Sequence, residues 1–178
     1  YHGTMEAYFG VKKRLFDGGI GTTLRIALVN IDDPYGQRLA DELREGTSGT
    51  RLITFGTKEG ADYRAVDAEF SRKGLSYRLL GPETDVKVRS ALAGRFNLSN
   101  VTAALAIVAE LGCDLKTAAA RLKKFKGVPG RLERIDEDHA SEVFVDYAHS
   151  DDALRSTLEM LREVTPGKIH IVFGCGGD

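Results

Sequence analysis

The sequence predicts an α/β protein in which a mainly parallel sheet carries a small antiparallel meander and is followed by the start of a second α/β unit. Three observations predict this class. Short apolar runs alternate with helical patterns up to residue 55, alternating polar and apolar runs fill residues 62–92, and a new strand, helix and strand follow residue 128. Apolar runs separated by helices are typical of parallel strands, whereas alternation is typical of antiparallel strands with one wet face.

Composition limits the possible partners. The 178 residues carry 25 basic and 26 acidic side chains, a net charge of -1, which argues against a general polyanion binder but allows a local nucleotide pocket. No apolar run is long enough to span a membrane, and the first residues do not resemble a signal peptide. Cys113 and Cys175 are far apart in sequence, which is typical of a reducing compartment. We expect a soluble, cytoplasmic protein without nucleic-acid or membrane partners.

The first helix is predicted over residues 4–17, and Gly18-Gly19 ends it. Its apolar face has the i, i+3, i+4 spacing of a helix and consists of Met5, Tyr8, Phe9, Leu15 and Phe16. Lys12 falls on this face, whereas Lys13 points elsewhere. Two interpretations of Lys12 stay open: a lysine that snorkels at the rim of the face, or a partly desolvated amine with a lowered pKa that is available for chemistry.

Two parallel strands are predicted over residues 24–30 and 51–55, with a helix over residues 35–45 between them that turns Leu39 and Leu43 inward. Polar residues at the carboxyl end of a parallel strand lie where open α/β sheets bind ligands. Asp33 and Pro34 have a simpler explanation, which we favour, as the N-cap and first residue of the helix.

An alanine-rich helix follows residues 94–97 and is stopped by Gly112. Its predicted buried stripe is Leu98, Val101, Leu105, Val108 and Leu111. Asn97 and Asn100 share one face at its start, so their carboxamides either recognise a purine edge or act as a simple cap and a solvated neighbour. A second helix is predicted over residues 115–125, with Asp114 as its N-cap.

The stretch from residue 127 to residue 149 contains the predicted junction of two units. Val128-Pro129-Gly130 cannot continue a helix, which places the boundary between residues 1–127 and 128–178. Residues 131–135 and 142–146 are predicted to pair around the Glu137-Asp138-His139 turn. A helix opened by Ser150 and a strand over residues 169–173 would then begin a βαβ unit. Because the sequence stops in a glycine-rich turn, we expect a fragment of a longer protein.

Six strings in this order resemble the Mur ligases of peptidoglycan synthesis, and within them the members that add the third amino acid. They are YHGTMEAYFGVKKRLF, NIDDPYG, GRFNLSNVTAALA, GVPGRLE, VDYAHSDDAL and VFGCGGD. The resemblance implies the end of a central P-loop-type ATPase domain followed by the start of a Rossmann-like C-terminal ligase domain. It also implies a monomeric ligase that uses ATP and Mg²⁺ to join meso-diaminopimelate or L-lysine to UDP-N-acetylmuramoyl-L-alanyl-D-glutamate through an acyl phosphate.

The resemblance assigns roles to the residues singled out above. Lys12 would be carbamylated and would help to hold Mg²⁺, and Arg131 would contact the ATP phosphates as a forked donor. The remaining nucleotide contacts would be Asn97 and Asn100 at the adenine, Asp146 at the ribose hydroxyls, and His149 near both. These positions flank the junction, so closure of the two units would complete the pocket.

The sequence contains no G-x-x-x-x-G-K-[ST] loop, so the residues that cradle the β and γ phosphates are missing. We therefore expect this chain alone to be inactive. Alternative interpretations are a folylpolyglutamate or cyanophycin type synthetase and a non-catalytic nucleotide-binding module. A dinucleotide-binding oxidoreductase is disfavoured, because the terminal G-x-G-G lacks the helix and acidic residue that should follow it.

Overall fold

A computed structural model describes residues 3–19, 21, 24–46, 49–135 and 141–174. Within these ranges the chain forms five helices and seven strands. In chain order they are α1 (Met5–Lys13), β1 (Ile26–Asn30), α2 (Pro34–Glu45), β2 (Arg51–Gly56), β3 (Tyr63–Ser71), β4 (Gly74–Gly81), β5 (Thr84–Ser90), α3 (Arg95–Glu110), α4 (Leu115–Leu122), β6 (Glu133–Ile135), β7 (Val143–Val145) and α5 (Asp151–Val164).

The first five strands form one sheet in the order β1-β2-β3-β4-β5. Strand β2 is parallel to β1 and, through Phe55 and Tyr63, also to β3. The pairs β3-β4 and β4-β5 are antiparallel. The predicted parallel pair and meander are therefore confirmed, and the meander extends the parallel sheet.

Helices cover both faces of this sheet. On one face α3 and α4 pack on β2 to β5 in a cluster that includes Leu79 and Val88, with 0% and 1% of their surfaces exposed. On the other face α1 and α2 pack on β1, where Ala27 and Val29 are buried. Each fully buried Leu or Val contributes about 1.5–3 kcal/mol to folding, so these two clusters hold the first unit together.

Two helices are shorter than predicted. Helix α1 begins after its N-cap, Thr4, and ends at Lys13, and among its residues Phe9 is buried while Met5 and Tyr8 are exposed. Helix α4 has the predicted Asp114 cap but ends at Leu122 rather than at residue 125. The predicted stripe of α3 is buried through Leu105, and Leu111 at its end is exposed.

The second unit contains the predicted hairpin, β6 antiparallel to β7, followed by α5 with Ser150 as its N-cap. The predicted turn at residues 137–139 and the terminal glycine-rich turn after residue 174 lie outside the described residues. The predicted strand over residues 169–173 is wrong for this chain: these residues form no ladder, because no described strand lies beside them, and Val172 is 99% exposed. The predicted βαβ unit is therefore not formed.

Candidate functional site

A cleft of about 690 Å³ lies between the α3-α4 pair and the second unit. Four of the six residues singled out in the sequence contribute to its wall: Asn97, Asn100, Arg131 and Asp146. Apolar side chains complete the wall on both sides, among them Phe96, Phe125 and Val128. The arrangement places a few polar groups around a mostly apolar cavity, as is usual for small-molecule sites.

Asn97 is not the cap of α3, so the simple capping interpretation is wrong. The helix begins at Arg95 after Gly94, which has φ 96°. Asn97 is buried, its Nδ2 donates to the carbonyl of Ala93 at 2.7 Å, and its Oδ1 accepts from Asn100 Nδ2 at 3.3 Å. Its carboxamide therefore holds the chain entering α3 and orients the exposed Asn100 at the cleft.

The turn that carries Arg131 is fixed by two carboxylates. Gly130, at φ 70°, donates its N–H to Glu133 Oε2 at 2.8 Å, and Leu132, at φ 46°, donates its N–H to Asp146 Oδ2 at 2.7 Å. A positive φ is costly for a leucine. Leu132 tolerates it because its side chain is buried against Ala93 and Met160, so the turn is pinned from both sides.

Asp146 uses both of its oxygens within the protein. Besides Leu132, it accepts from the N–H of Ala148 at 2.8 Å. The side chain is exposed, and each carboxylate oxygen has a second lone pair, so it can still accept from a ligand hydroxyl. His149 is exposed and does not line the cleft. Its Nδ1 lies 2.9 Å from the carbonyl of Tyr147, and because a carbonyl only accepts, Nδ1 carries the proton.

Arg131 presents a guanidinium at the cleft that has no acidic partner among the described residues. Its Cζ lies 5.3 Å from the ring centroid of Tyr147, and the Tyr147 ring meets the His149 ring edge-on at 5.1 Å. Within the described ranges, Arg131 makes no side-chain hydrogen bond or ion pair. A forked donor without an acidic partner is suited to bind an anion. The sequence analysis missed Tyr147, although it lies inside the Asp-Tyr-Ala-His string.

Lys12 does not belong to this cleft. It is exposed, with its Nζ 5.4 Å from the ring centroid of Tyr8. The prediction that Lys12 lies on the buried face of α1 and that Lys13 points away from it was wrong. Lys13, four residues after the buried Phe9, is half-buried and pairs with Glu42 at 2.7 Å, while Lys12 follows the exposed Tyr8 by four residues.

Both acidic residues after β1 serve the fold, which the sequence favoured for Asp33 and did not predict for Asp32. Asp33 Oδ1 accepts from the N–H groups of Tyr35 and Gly36 at 2.8 and 3.1 Å and so caps α2. Asp32 accepts from the N–H groups of Thr57 and Lys58, which ties the loop after β1 to the loop after β2.

Two features are absent from the described part of the chain. No group of three or more His, Cys, Asp or Glu side chains there is arranged to hold a metal ion. No helix there combines the length and the apolar character needed to cross a bilayer.

These features define a class: an α/β protein with helices on both faces of its sheet, joined by a pinned turn to a second α/β unit, with an anion-suited cleft at the junction. The profile of the Mur ligase middle domain matches residues 1–108, and that of the Mur ligase glutamate ligase domain matches residues 130–178. The chain belongs to the Mur ligase family.

Three similar proteins illustrate the relationship. The UDP-N-acetylmuramoyl-L-alanyl-D-glutamate--2,6-diaminopimelate ligase of Streptomyces avermitilis is 42% identical over 100% of this chain and 34% of its own length. A solved structure of a ligase with the same name has a TM-score of 0.77 at 35% identity, over 100% of this chain and 36% of that one. The MurF ligase from Thermotoga maritima in complex with ADP shares the fold, with a TM-score of 0.70 at 22% identity over 91% and 36% of the chains. The chain thus spans about a third of the length of the curated relatives it matches.

Proposed function

We propose that the full-length protein is an ATP-dependent ligase that adds a diamino acid, meso-diaminopimelate, to UDP-N-acetylmuramoyl-L-alanyl-D-glutamate. The observation that carries the proposal is the guanidinium of Arg131, which has no acidic partner among the described residues and is carried by a hydrogen-bonded turn at a cleft whose other polar groups suit a nucleoside. The choice of substrate rests on the names of the relatives that match the whole chain.

The cleft fits ATP by the chemistry of its donors and acceptors. Asn100, oriented by Asn97, offers a carboxamide to a purine edge, Asp146 accepts from ribose hydroxyls, and the apolar wall packs on the base. His149 follows Ala148 of the cleft wall, and its assigned role is a contact with the ribose. Bound ATP supplies the phosphoryl group that activates the acceptor carboxylate, so that the amine of the diamino acid displaces phosphate and forms the amide.

Arg131 stabilises the negative charge that develops on the transferring phosphoryl group. Charge stabilisation by preorganised donors is the main catalytic resource in phosphoryl transfer. The turn around Gly130 and Leu132 holds the backbone of Arg131 before the substrate arrives, which reduces the reorganisation needed during the reaction.

Lys12 is proposed as a carbamylated lysine that helps to hold Mg²⁺. Its exposure leaves the amine accessible to CO₂, and carbamylation turns the cation into an anion that suits a hard divalent ion. Mass spectrometry of peptides prepared without acid would reveal the mass of the added CO₂ on Lys12.

The division into a central domain over residues 1–127 and a ligase domain from residue 128 is part of the same proposal.

The deciding experiment uses the full-length protein of which this sequence is part. It is incubated with UDP-N-acetylmuramoyl-L-alanyl-D-glutamate, ATP and Mg²⁺, with meso-diaminopimelate and L-lysine in parallel, and ADP and tripeptide product are measured. We expect product with diaminopimelate only, and none with the 178-residue chain alone. Product with lysine alone would overturn the amino-acid assignment. A folded, ATP-binding protein that ligates neither would overturn the function in favour of a folylpolyglutamate type synthetase.

A further inference from the structure

We propose that Tyr147 is a positioning residue for Arg131: the face of its ring holds the guanidinium at the mouth of the cleft. The role of Arg131 in phosphoryl transfer rests on the proposed function, but the contact between ring and guanidinium does not.

The backbone of Arg131 is fixed, whereas its side chain has few restraints. Hydrogen bonds from Gly130 and Leu132 to Glu133 and Asp146 hold the backbone on either side of it. The four side-chain torsions of Arg131 are still free to rotate. In the described part of the chain, the guanidinium contacts the Tyr147 ring, whose centroid lies 5.3 Å from Cζ. A mobile guanidinium would lose much of its value as a preorganised donor.

The Tyr147 ring is itself held in place. It meets the His149 ring at 5.1 Å and an interplanar angle of 70°, and His149 donates its Nδ1 proton to the carbonyl of Tyr147. Asp146 accepts from both Leu132 and Ala148, so one carboxylate ties the strand end that bears Tyr147 to the turn that bears Arg131. The carboxylate of Asp146 therefore holds both the segment that carries the Tyr147 ring and the turn that carries Arg131.

Tyr147 is 65% exposed, so packing in a core does not explain the position of its ring. An aromatic face attracts a guanidinium within about 6 Å of its centroid. It does so without a negative charge, unlike a carboxylate partner, which would compete with phosphate. The ring therefore orients Arg131 while leaving its donors available to an anion.

The test is a double-mutant cycle in the full-length protein with Tyr147→Leu, Tyr147→Phe and Arg131→Met. Tyr147→Leu removes the aromatic face but keeps an apolar side chain, and we expect kcat to fall about 3- to 30-fold with a smaller change in KM for ATP. Tyr147→Phe keeps the aromatic face and should retain most of the wild-type kcat. In the Arg131→Met background, Tyr147→Leu should change kcat less than about twofold, because the effect passes through Arg131. Equal losses with and without Arg131 would overturn the proposal.

A second cation-π pair, outside the cleft, provides a control. The Cζ of Arg95 lies 5.0 Å from the centroid of Phe70, and neither residue lines the cleft. Phe70→Leu should leave kcat within about twofold of the wild type, and a loss as large as that of Tyr147→Leu would mean a general effect on folding.

A readout that needs no catalysis separates this proposal from the proposed function. In protein labelled with ¹⁵N-arginine, the Nε–H signal that disappears in Arg131→Met belongs to Arg131. Ring current should shift that signal upfield, and Tyr147→Leu should return it towards the position of a free arginine. An unshifted signal, or one that Tyr147→Leu leaves unchanged, would overturn the contact. If the wild type ligates no acceptor while the signal behaves as expected, the proposed function fails and the positioning role stands.

Discussion

Asn97 and Asn100 show how two identical side chains on one helix face differ in role. Asn97 is 8% exposed and its Nδ2 donates to the carbonyl of Ala93, while Asn100 is exposed at the cleft. Removing Asn97 leaves the backbone carbonyl of Ala93 without its donor at 2.7 Å, whereas removing Asn100 takes only the longer donor, at 3.3 Å, from Asn97 Oδ1 at the cleft. Stability and nucleotide binding should therefore separate between these two positions.

We predict that Asn97→Ala lowers the free energy of unfolding by about 1–3 kcal/mol, because the Ala93 carbonyl loses its donor. Asn100→Ala removes the 3.3 Å donor to Asn97 Oδ1, so it should lower the free energy of unfolding by no more than about 1 kcal/mol, and it should raise KM for ATP. Urea unfolding and steady-state kinetics on the two variants check this. Equal destabilisation by both, or an unchanged KM in Asn100→Ala, would contradict it.

The lysines of α1 show where residue patterns are ambiguous. The apolar face predicted from the sequence is broad, so Lys12 and Lys13 each lie near one edge of it. In the fold the buried face narrows to Phe9, and Lys13 shares that face while Lys12 does not. The choice depends on Glu42 of α2, which is a long-range partner that a local pattern does not contain.

At the scale of elements, Gly36 allows α2 to approach the end of β1. A Cβ added there would lie 1.8 Å from the carbonyl oxygen of Asn30, which is backbone and cannot rotate away. Gly10 in α1 is a matched helical glycine, since a Cβ there would meet nothing within 4 Å.

We predict opposite signs for alanine at these two glycines. Gly36→Ala should destabilise the protein by about 1–3 kcal/mol through the clash with the carbonyl of Asn30. Gly10→Ala should stabilise it by about 0.5–1 kcal/mol through the higher helix propensity of alanine. Thermal and urea unfolding of both variants test this. A neutral Gly36→Ala would show that α2 shifts away from β1 without cost.

Helices α1 and α2 are also joined by four charges. Glu42 forms an ion pair with Lys13 at 2.7 Å and accepts from Arg38 at 2.8 Å, and Arg38 also reaches Glu6 at 2.8 Å. The hydrogen bond from Lys13 and then that from Arg38 hold the pKa of Glu42 below its ordinary value of 4.5. The cluster sits over Phe9, whose ring centroid is 4.4 Å from Arg38 Cζ.

The sign of the pH effect follows from the lowered pKa. A carboxyl group whose pKa is lower in the folded state stabilises the fold above its unfolded pKa, and this contribution is lost as pH falls through the folded pKa. Glu42→Gln should therefore lower the Tm near neutral pH, and the difference from the wild type should shrink below about pH 4.5. Melting curves across pH check it, and a difference that grows in acid would contradict it.

At the scale of the molecule, the sequence predicted the parallel pair, the meander and the β6-β7 hairpin, because strand periodicity and turn residues are local signals. It also identified the residues that meet in the cleft, through family strings rather than through spacing. It did not identify Tyr147 as the neighbour of Arg131, since that contact depends on the register of β6 with β7. The strand predicted over residues 169–173 has the apolar pattern but no described neighbour with which to pair, and pairing defines a strand.

Two kinds of contact join the two units across the cleft. Ala93, Leu132 and Met160 form a buried apolar cluster, and Gly94 lies so close that an added Cβ would be 3.1 Å from Met160 Cγ. Arg72 bridges to Glu142 at 2.6 Å. The Arg72 side chain is 45% exposed, and exposed ion pairs contribute about 0–1 kcal/mol. The apolar cluster should therefore dominate the coupling between the units.

We predict that Met160→Ala lowers the free energy of unfolding by about 2–5 kcal/mol, because a buried methionine leaves a cavity at the junction. Arg72→Ala should cost no more than about 1 kcal/mol, and added salt should reduce that cost further. Proteolysis at residues 123–130 should accelerate in Met160→Ala and change little in Arg72→Ala, since loosening the cluster exposes the turn before Arg131. If Arg72→Ala were the more damaging variant, electrostatic attraction would be the force that holds the cleft together, and nucleotide affinity should then fall steeply with salt.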